Sequence, residues 1–544
     1  MRLISYFGIS PVHSSSLPNP TPQPKSNPTR RSSPPKTPQK QSRIPHPNPT
    51  PQAKPRHARP PVPMDSSSTS GSGAAVAGPE PTSSRRASYG PVLEDEPPRL
   101  RFTVGQYPTR FPLADAPGFI SSIGAALARH ADADAQVEPL EISLVFRAPH
   151  QHYIASLGAY ATEHPHAALV TADHVRAWLR FGMARAAGSF VLELPPRPRS
   201  TTEESASGAA AEAEKNGVAL ELPRSAASAI VALTLGDATL ALPAPADASF
   251  HALAELLLSN ARISDQHRLS GLLSSPSFPR LKRLRLEHLA GVGELDLCVG
   301  DLEELAIVGV RDLWCLQVSA PRLRALRVTE CFRLESSAGE LAIAAPALEA
   351  LTCSSMCRMQ GLQFDSGPSV REIGGLPLWT HGHANHAARN EAAISIPKQC
   401  TAAHRLNLDL HVPSYMREAL VDGMDSGMAD CESILVDDIP QLLNITALRV
   451  NISTWKGHSY AASLARLIAQ CSNLEDLRIE VTRGTEKPAC LDRACVCHDE
   501  DGWENQQLSL ERLVHLNITG FQGLDYEERL AQMILAGTPA LKRE

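Results

Sequence analysis

The sequence of 544 residues lacks long apolar runs, and aromatic residues make up only 5% of it. No segment approaches the roughly 18 consecutive apolar residues that a transmembrane helix requires, so the sequence predicts no membrane-spanning helix and no membrane partner. An apolar signal-peptide core is also missing, and the eleven cysteines form an odd-numbered set scattered from Cys298 to Cys497. This pattern predicts a reduced compartment, the cytoplasm or the nucleus, rather than a secreted disulfide framework.

Short motifs that often carry catalysis are absent as well. The sequence contains no phosphate-binding loop, no Gly-x-Ser-x-Gly elbow, no His-Glu-x-x-His pair and no dinucleotide fingerprint. We therefore expect a protein that is not an enzyme and that has no cofactor.

Two clusters carry residue types that can bind metal. Cys490, Cys495, Cys497 and His498 offer soft ligands without a second paired half, so we favour an exposed loop over a zinc site. The histidines of Trp379-Thr-His-Gly-His-Ala-Asn-His lie in a Gly/Ala-rich segment, where a solvated cluster is favoured over a metal site. A redox- or metal-sensing protein remains a further alternative.

Acidic residues are missing from residues 1–64, which hold ten Lys or Arg and 17 Pro. Such a segment has no periodic apolar face to bury, so a disordered arm is predicted, and residues 65–98 continue it as a Ser/Gly/Pro-rich linker. Translation from Met64 is the favoured interpretation of the change in composition, and a plastid transit peptide is the alternative. The remaining chain has 42 basic and 58 acidic residues, a balance that disfavours nucleic acid as a partner.

Ordered structure is predicted to begin near Arg99. Between Thr171 and Ala187 the apolar residues recur with the period of a helix, with Asp173 as the predicted cap and Gly188 as the predicted end. The segment Ser189–Leu194 predicts a short strand, and residues 197–217 predict a disordered insert.

An internal repeat is the strongest signal. Leu-x-x-Leu-x-Leu at Leu281 recurs with conservative changes at Leu302, Leu323 and Leu348, and weaker copies begin between them at Val292, Leu313 and Ala338. Apolar triplets thus return every 10 or 11 residues with one longer step, which indicates two extended segments per coil. Similar triplets start at Leu474 and Leu513, with partial ones near Leu406 and Leu448.

This spacing predicts an α/β fold, a leucine-rich-repeat solenoid with a parallel sheet on its concave face. The predicted divisions are the disordered arm and linker at 1–98, an N-terminal cap at 99–276, leucine-rich repeats at 277–440, and a C-terminal repeat region at 441–544. Strand alternation turns the leucines inward and the residues between them outward, where we expect a protein target to bind. The candidate contact residues are Arg283, Arg285, Glu287, Glu304, Arg327, Thr329, Thr352 and Arg478. Arg283, Arg285 and Arg327 are predicted to form a modest basic spot on this face that is suited to an acidic peptide. Charge that only keeps the surface solvated is the favoured interpretation of this spot, and target binding is the alternative.

Several segments carry a resemblance to a known family. Pro117–Ile123, Val175–Phe181, Gly188–Leu194, His458–Leu477 and Leu513–Glu528 occur in the order found in plant F-box/LRR and FBD-associated proteins, particularly those of grasses. The resemblance implies substrate recognition for a cullin–RING (SCF-type) ubiquitin ligase. It accounts for Cys490, Cys495, Cys497 and Trp503 without a metal, as part of the C-terminal FBD signature.

One departure from the family is clear. Its F-box, a helical module of about 40 residues that binds the ligase adaptor, belongs just before Pro117, but residues 65–116 contain no such run and no tryptophan precedes Trp178. We therefore expect a protein-interaction module that resembles the substrate-recognition part of such a ligase. The alternative is a scaffold or regulatory binding protein without ubiquitin coupling.

Overall fold

The computed structural model describes fifteen ranges of the chain, which are residues 98–104, 116–133, 135–145, 169–196, 219–274, 276–310, 312–332, 339–354, 359–364, 369–382, 384–412, 432–433, 439–454, 459–483 and 502–539. The helices in these ranges are α1 (Ala116–Asp132), α2 (Ala172–Arg185), α3 (Gln266–Leu273), α4 (Ala384–Gln399), α5 (Ala461–Ala469) and α6 (Asp525–Ala536), with short 3-10 turns at Pro245–Asp247 and Trp503–Asn505. No helix in the described ranges is long and apolar enough to cross a membrane.

A long parallel sheet runs through the fold, and we call it the first sheet. Its strands before the predicted repeats are β1 (Leu100–Thr103), β2 (Leu140–Ser143), β3 (Ser189–Leu194), β4 (Ala219–Glu221), β5 (Ile230–Ala241) and β6 (Glu255–Ile263). The strands that follow are β7 (Arg283–Glu287), β9 (Glu304–Val308), β11 (Ala325–Thr329), β13 (Ala350–Ser354), β15 (Glu372–Trp379), β17 (Arg405–Val412), β19 (Ala447–Thr454), β20 (Asp476–Arg483) and β21 (His515–Thr519). The sheet therefore begins at Leu100, well before the leucine repeat itself.

A second sheet of four parallel strands lies behind the central coils. Its strands are β8 (Glu294–Cys298), β10 (Cys315–Ser319), β12 (Gly339–Ala344) and β14 (Met359–Phe364). These strands alternate along the chain with β7, β9, β11 and β13, so each central coil contributes one strand to each sheet. The prediction of two extended segments per coil is confirmed. A separate antiparallel pair joins β16 (His381–Gly382) to β18 (Glu432–Ser433).

The leucine positions of the repeat pair in register and form the core. Leu284, Leu305, Leu326 and Leu351 are aligned partners on neighbouring strands, and all are buried. The weaker copies behave in the same way, because Leu295, Leu316 and Leu341 pair across the second sheet. Burying such a leucine stabilises the fold by roughly 1.5–3 kcal/mol relative to exposing it. The α/β fold with a large parallel sheet, built from stacked coils, therefore follows the predicted pattern.

Helix α2 and strand β3 form where the sequence predicts them, but the cap differs. The Thr171 hydroxyl accepts a hydrogen bond from the His174 N–H at 3.3 Å, so Thr171 is the N-cap. Asp173 lies in the first turn instead and pairs with Arg176 at 2.8 Å. The helix ends at Arg185, before Gly188, because Ala186 takes an extended backbone and bridges to Val137.

Helix α3 covers the β8 edge of the second sheet through one stripe of side chains. The Gln266 Oε1 accepts the Gly293 N–H at 2.8 Å, and the hydroxyls of Ser270 and Ser274 accept the N–H groups of Asp296 and Cys298 at 3.2 and 2.9 Å. The Gln266 Oε1 also lies 3.4 Å from the Glu294 nitrogen, so the strand contacts recur every two residues at Glu294, Asp296 and Cys298. Two strand residues rise about 6.6 Å and four helical residues rise about 6 Å, so the two spacings match. The helix thus supplies the acceptors that a neighbouring strand would otherwise provide.

The C-terminal helix is held by a buried carboxylate. Glu527 of α6 is fully buried and accepts a hydrogen bond at 2.7 Å from the hydroxyl of Tyr460, the residue that directly precedes α5. Its second oxygen accepts the N–H groups of Gln522 and Leu524 at 2.8 and 3.1 Å. One side chain therefore fixes α6, the loop after β21 and the start of α5 together.

Several predicted features lie outside the described residues. These are the arm and linker apart from Pro98, the insert at 197–217 and the loop with Cys490, Cys495, Cys497 and His498. His383 is also outside, and the side chains of His381 and His386 are not described. Those predictions, and the division of the chain into four regions, remain predictions. The expectation that the histidines share one Gly/Ala-rich loop is wrong, because the backbone of His381 lies in β16 and that of His386 in helix α4.

Candidate protein-binding face

The outward side chains of the first sheet from β7 to β21 form one continuous surface, which we call the open face. In most of these strands residues alternate, so the apolar ones enter the core and the ones between them point away from it, while in β15 Gly374 and Gly375 interrupt the alternation. Register aligns the outward residues into rows across the strands. The middle row contains Arg285, Ala306, Arg327, Thr352, Gly374, Asn407, Arg449, Arg478 and Asn517.

The structure places every predicted contact residue on this face. Arg283, Arg285 and Glu287 lie on β7, and Glu304 lies on β9. The remaining four are distributed over three further strands: Arg327, Thr329, Thr352 and Arg478. Arg478 lies seven strands of the first sheet away from β7, so the predicted residues form an extended surface rather than a compact pocket.

Most charges on the open face are paired with each other. Arg283 contacts Glu255 of β6 and also Glu304, whose carboxylate is 3.4 Å from its Nε. The charges of these two carboxylates, that of Glu255 first, raise the pKa of the Arg283 guanidinium above its ordinary value. Arg285 pairs with Glu287 of its own strand at 2.6 Å. Two of the three arginines in the predicted basic spot are therefore neutralised by near neighbours.

The same pairing continues in the C-terminal strands. Arg478 pairs with Asp476 at 3.0 Å, and this hydrogen bond raises the pKa of the Arg478 guanidinium. Arg449 reaches Glu480 on the next strand at 2.8 Å. Exposed pairs of this kind contribute little stability each, but they cancel the charge that a partner would meet.

Arg327 differs from these arginines. It is exposed in the centre of the face, and within the described ranges its guanidinium has no hydrogen-bond or ion-pair partner. Its partners in the middle row, Ala306 and Thr352, cannot neutralise it. Of the three arginines in the predicted basic spot, the described part of the chain pairs Arg283 and Arg285 and leaves Arg327 uncompensated.

Some residues of the face were not among the predicted ones. They are the outward residues of β15, β17 and β19, which include Glu372, Gly374, Arg405, Asn407, Asp409, Arg449 and Asn451. Glu255, which borders the face on β6, was not predicted either. The alternation Leu406-x-Leu408-x-Leu410 already contains the signal for β17. The signal for β15 is hidden, because two glycines, Gly374 and Gly375, shift its register against β17.

An aromatic stack closes one margin of the face, at the ends of β15 and β17. The rings of Trp379 and His411 stack with their centroids 5.2 Å apart, and the Arg389 guanidinium lies 5.4 Å from the Trp379 ring. Burial lowers the pKa of His411 below its ordinary value of 6.5, and the charge of Asp409 opposes this shift. The buried Asn390 side chain hydrogen bonds both the N–H and the carbonyl of Trp379, at 2.9 and 2.8 Å.

The described cysteines are mostly part of the core. Cys331, Cys353, Cys400 and Cys471 are buried, and burial raises the pKa of each thiol to about 12. Such thiols stay protonated and have little nucleophilic character. Cys298, by contrast, is exposed on β8.

Comparison with known proteins identifies a partial relative. The chain is 31% identical over 159 residues to a protein of Arabidopsis thaliana named as an F-box/FBD/LRR-repeat protein. The match covers 28% of this chain and 32% of the relative, so the chain spans about a third of the length of that protein. No family model matches the chain. The similarity supports a relationship to F-box/FBD/LRR-repeat proteins at a coarse level.

Proposed function

We propose that the chain is a protein-interaction module that binds a protein target on the open face, as the substrate-recognition part of an SCF-type ubiquitin ligase does. The observation that carries this proposal is the open face itself, on which residues of nine adjacent parallel strands point away from the core. Repeat proteins commonly bind partners on such extended surfaces. The similarity to an F-box/FBD/LRR-repeat protein supports the ligase context.

The proposal assigns binding rather than catalysis to the chain, and it requires no cofactor. The proposed target is a protein, because the outward side chains of the open face are spaced as in an extended polypeptide. The excess of acidic residues after residue 64 disfavours nucleic acid as the target. The cytoplasm or the nucleus is the proposed compartment. The described cysteines are all free, which is what a reducing compartment predicts.

A second candidate function is a scaffold or regulatory binding protein without ubiquitin coupling. It is favoured by the absence of an F-box-like run in residues 65–116. The two candidates share the target-binding face and differ only in whether the chain contacts the ligase adaptor.

A pull-down separates the two candidates. The full chain is tested against purified ligase adaptor, with an F-box-containing relative as positive control. Stoichiometric capture supports the ligase function. Capture of the adaptor by the control alone supports the scaffold.

Target binding is tested by placing one new charge on the open face. Ala350 lies on the open face in β13, and Ala342 is an outward residue of β12 in the second sheet. Proteins that co-purify with the wild type and with Ala342→Glu, but not with Ala350→Glu, support binding on the open face. Identical co-purifying proteins for all three chains would remove the open face from the proposal.

A further inference from the structure

The charge pattern of the open face changes abruptly in the middle. From β7 to β21 every charged outward side chain that the structure describes contacts a charged or polar neighbour, with the exception of Arg327. Even Asp409, which has no ion pair, accepts a hydrogen bond from the Asn451 amide at 2.8 Å.

Apart from Glu304 of β9, the described outward side chains around Arg327 are small and uncharged. We call these small outward residues of β9, β11, β13 and β15 the low floor, which consists of Ala306, Val308, Ala325, Thr329, Ala350, Thr352, Ser354 and Gly374. None of these side chains has more than three heavy atoms, whereas the Arg327 side chain is long and exposed. The nearest carboxylate on β9, that of Glu304, is diagonal to Arg327 and is engaged by Arg283.

Paired charges border the low floor on both sides. Arg283, Arg285 and Glu287 stand on β7, and Glu372 with Arg405 stand at its other border, 3.9 Å apart across β15 and β17. The floor extends over three strand spacings, or about 14 Å, which an extended chain covers with about four residues. A short extended segment of a partner fits this width.

We propose that this part of the open face binds an extended peptide segment of the target that carries an Asp or Glu side chain, and that Arg327 recognises that carboxylate. The proposal rests on the function proposed above and names the chemistry of its target. A guanidinium presents a planar fork of donors that matches one carboxylate. Because Arg327 is the one uncompensated cation among the described outward residues of the open face, a singly charged carboxylate fits better than a phosphate, which Arg clusters usually bind.

The paired arginines on either side would not compete for the same group. Arg283 already lies between two carboxylates and Arg285 is held by Glu287, so recruiting either would break an existing pair. Arg327 has no such pair to break among the described residues. The charges at the borders of the low floor are paired, so they exert little net electrostatic force on a charged group of the partner. Arg327 therefore determines where the acidic side chain binds.

The test is a selection of random displayed heptapeptides on the full chain, followed by affinity measurements on the selected peptides by fluorescence polarisation. We expect enrichment of Asp or Glu at one position beside small or apolar residues. Arg327→Gln should weaken binding of such a peptide at least about five-fold, and should not change binding of the same peptide with Asn or Gln in place of its acid. Arg327→Glu should bind the peptide with Lys at that position.

The matched control is Arg322→Gln, which removes an exposed arginine of the neighbouring turn that pairs with Asp301 at 2.7 Å. It should bind the acidic peptide as the wild type does. Equal affinity of the wild type and Arg327→Gln would overturn the proposal, as would the absence of acidic enrichment. A preference of about ten-fold or more for a phosphoserine peptide would overturn the assignment to carboxylate.

The same experiment separates this inference from the function on which it rests. If Ala350→Glu abolishes peptide binding while Arg327→Gln does not, the open face is a binding surface and Arg327 is not its acid-recognition residue. If no selected peptide is sensitive to Ala350→Glu, both the inference and binding on this face fail. Thermal unfolding of each variant confirms that it is folded, and an exposed side chain such as Arg327 should leave the midpoint unchanged.

Discussion

Replacing Glu527 by Ala should release the C-terminal helix α6 from the body of the protein. The carboxylate is fully buried and accepts three hydrogen bonds, from Tyr460, Gln522 and Leu524. Hydrogen bonds to a charged group contribute about 1.5–3 kcal/mol each, but the two backbone donors can partly regain water once the helix loosens. We therefore expect a loss of about 3–5 kcal/mol, at the upper end of the effects of single substitutions.

The loss should be local, because α6 lies at one end of a stacked structure in which each coil contacts only its neighbours. Amide hydrogen exchange followed by mass spectrometry should show exchange in Asp525–Ala536 faster by about two to three and a half orders of magnitude, with the central strands unchanged. Glu528→Ala is the matched control, since Glu528 is exposed beside Glu527. If α6 of the Glu527→Ala variant exchanges as slowly as α6 of the wild type, the role given to this side chain is refuted.

Three further results are expected. Cys298 should react with a maleimide in the native protein at pH 8 while Cys353, whose pKa is raised to about 12, should react only after denaturation, as peptide mapping will show. Burial lowers the pKa of His411 in the folded state, so below about pH 6.5 the unfolded state binds more protons at this residue than the folded state does. Acidification should therefore lower the thermal stability of the wild type more steeply than that of His411→Phe. Leu305→Ala should cost about 2–5 kcal/mol in denaturant unfolding and the outward Val308→Ala clearly less, and equal costs would contradict the inward and outward assignment.

The sequence predicts the core of this fold well, because leucine spacing records burial directly. Leu305 and Leu326 recur 21 residues apart and pair across neighbouring strands, and the weaker triplets mark the second sheet. Strands β1 to β5 carry no leucine repeat, so only β3 was predicted among them. Gly374 and Gly375 insert a shift into β15, which conceals its place in the repeat.

The candidate site is less predictable than the core. Strand alternation places Arg283, Arg285 and Arg327 correctly on the outward side, but it says nothing about their partners. Arg283 is neutralised by Glu255, which precedes it by 28 residues on another strand, and Arg285 bends toward Glu287 of its own strand. Whether a surface charge is free therefore depends on side-chain geometry that periodicity does not encode. The predicted N-cap of α2 was wrong for a similar reason, since Thr171 and Asp173 are both residue types that cap helices and only the backbone geometry selects Thr171.

The presence of a strand behind some coils and a helix behind others has a consequence for curvature. In the central coils, strands are stacked about 4.8 Å apart in both sheets, so successive coils have no wedge angle between them. Packed helices need about 8–10 Å, and the helix pairs α1 with α2 and α5 with α6 touch only toward the two ends. We therefore expect the bending of the first sheet to concentrate at its ends, with Arg327 on a flat middle section. Adding or removing one central coil would lengthen or shorten that section and leave the angle between the ends unchanged.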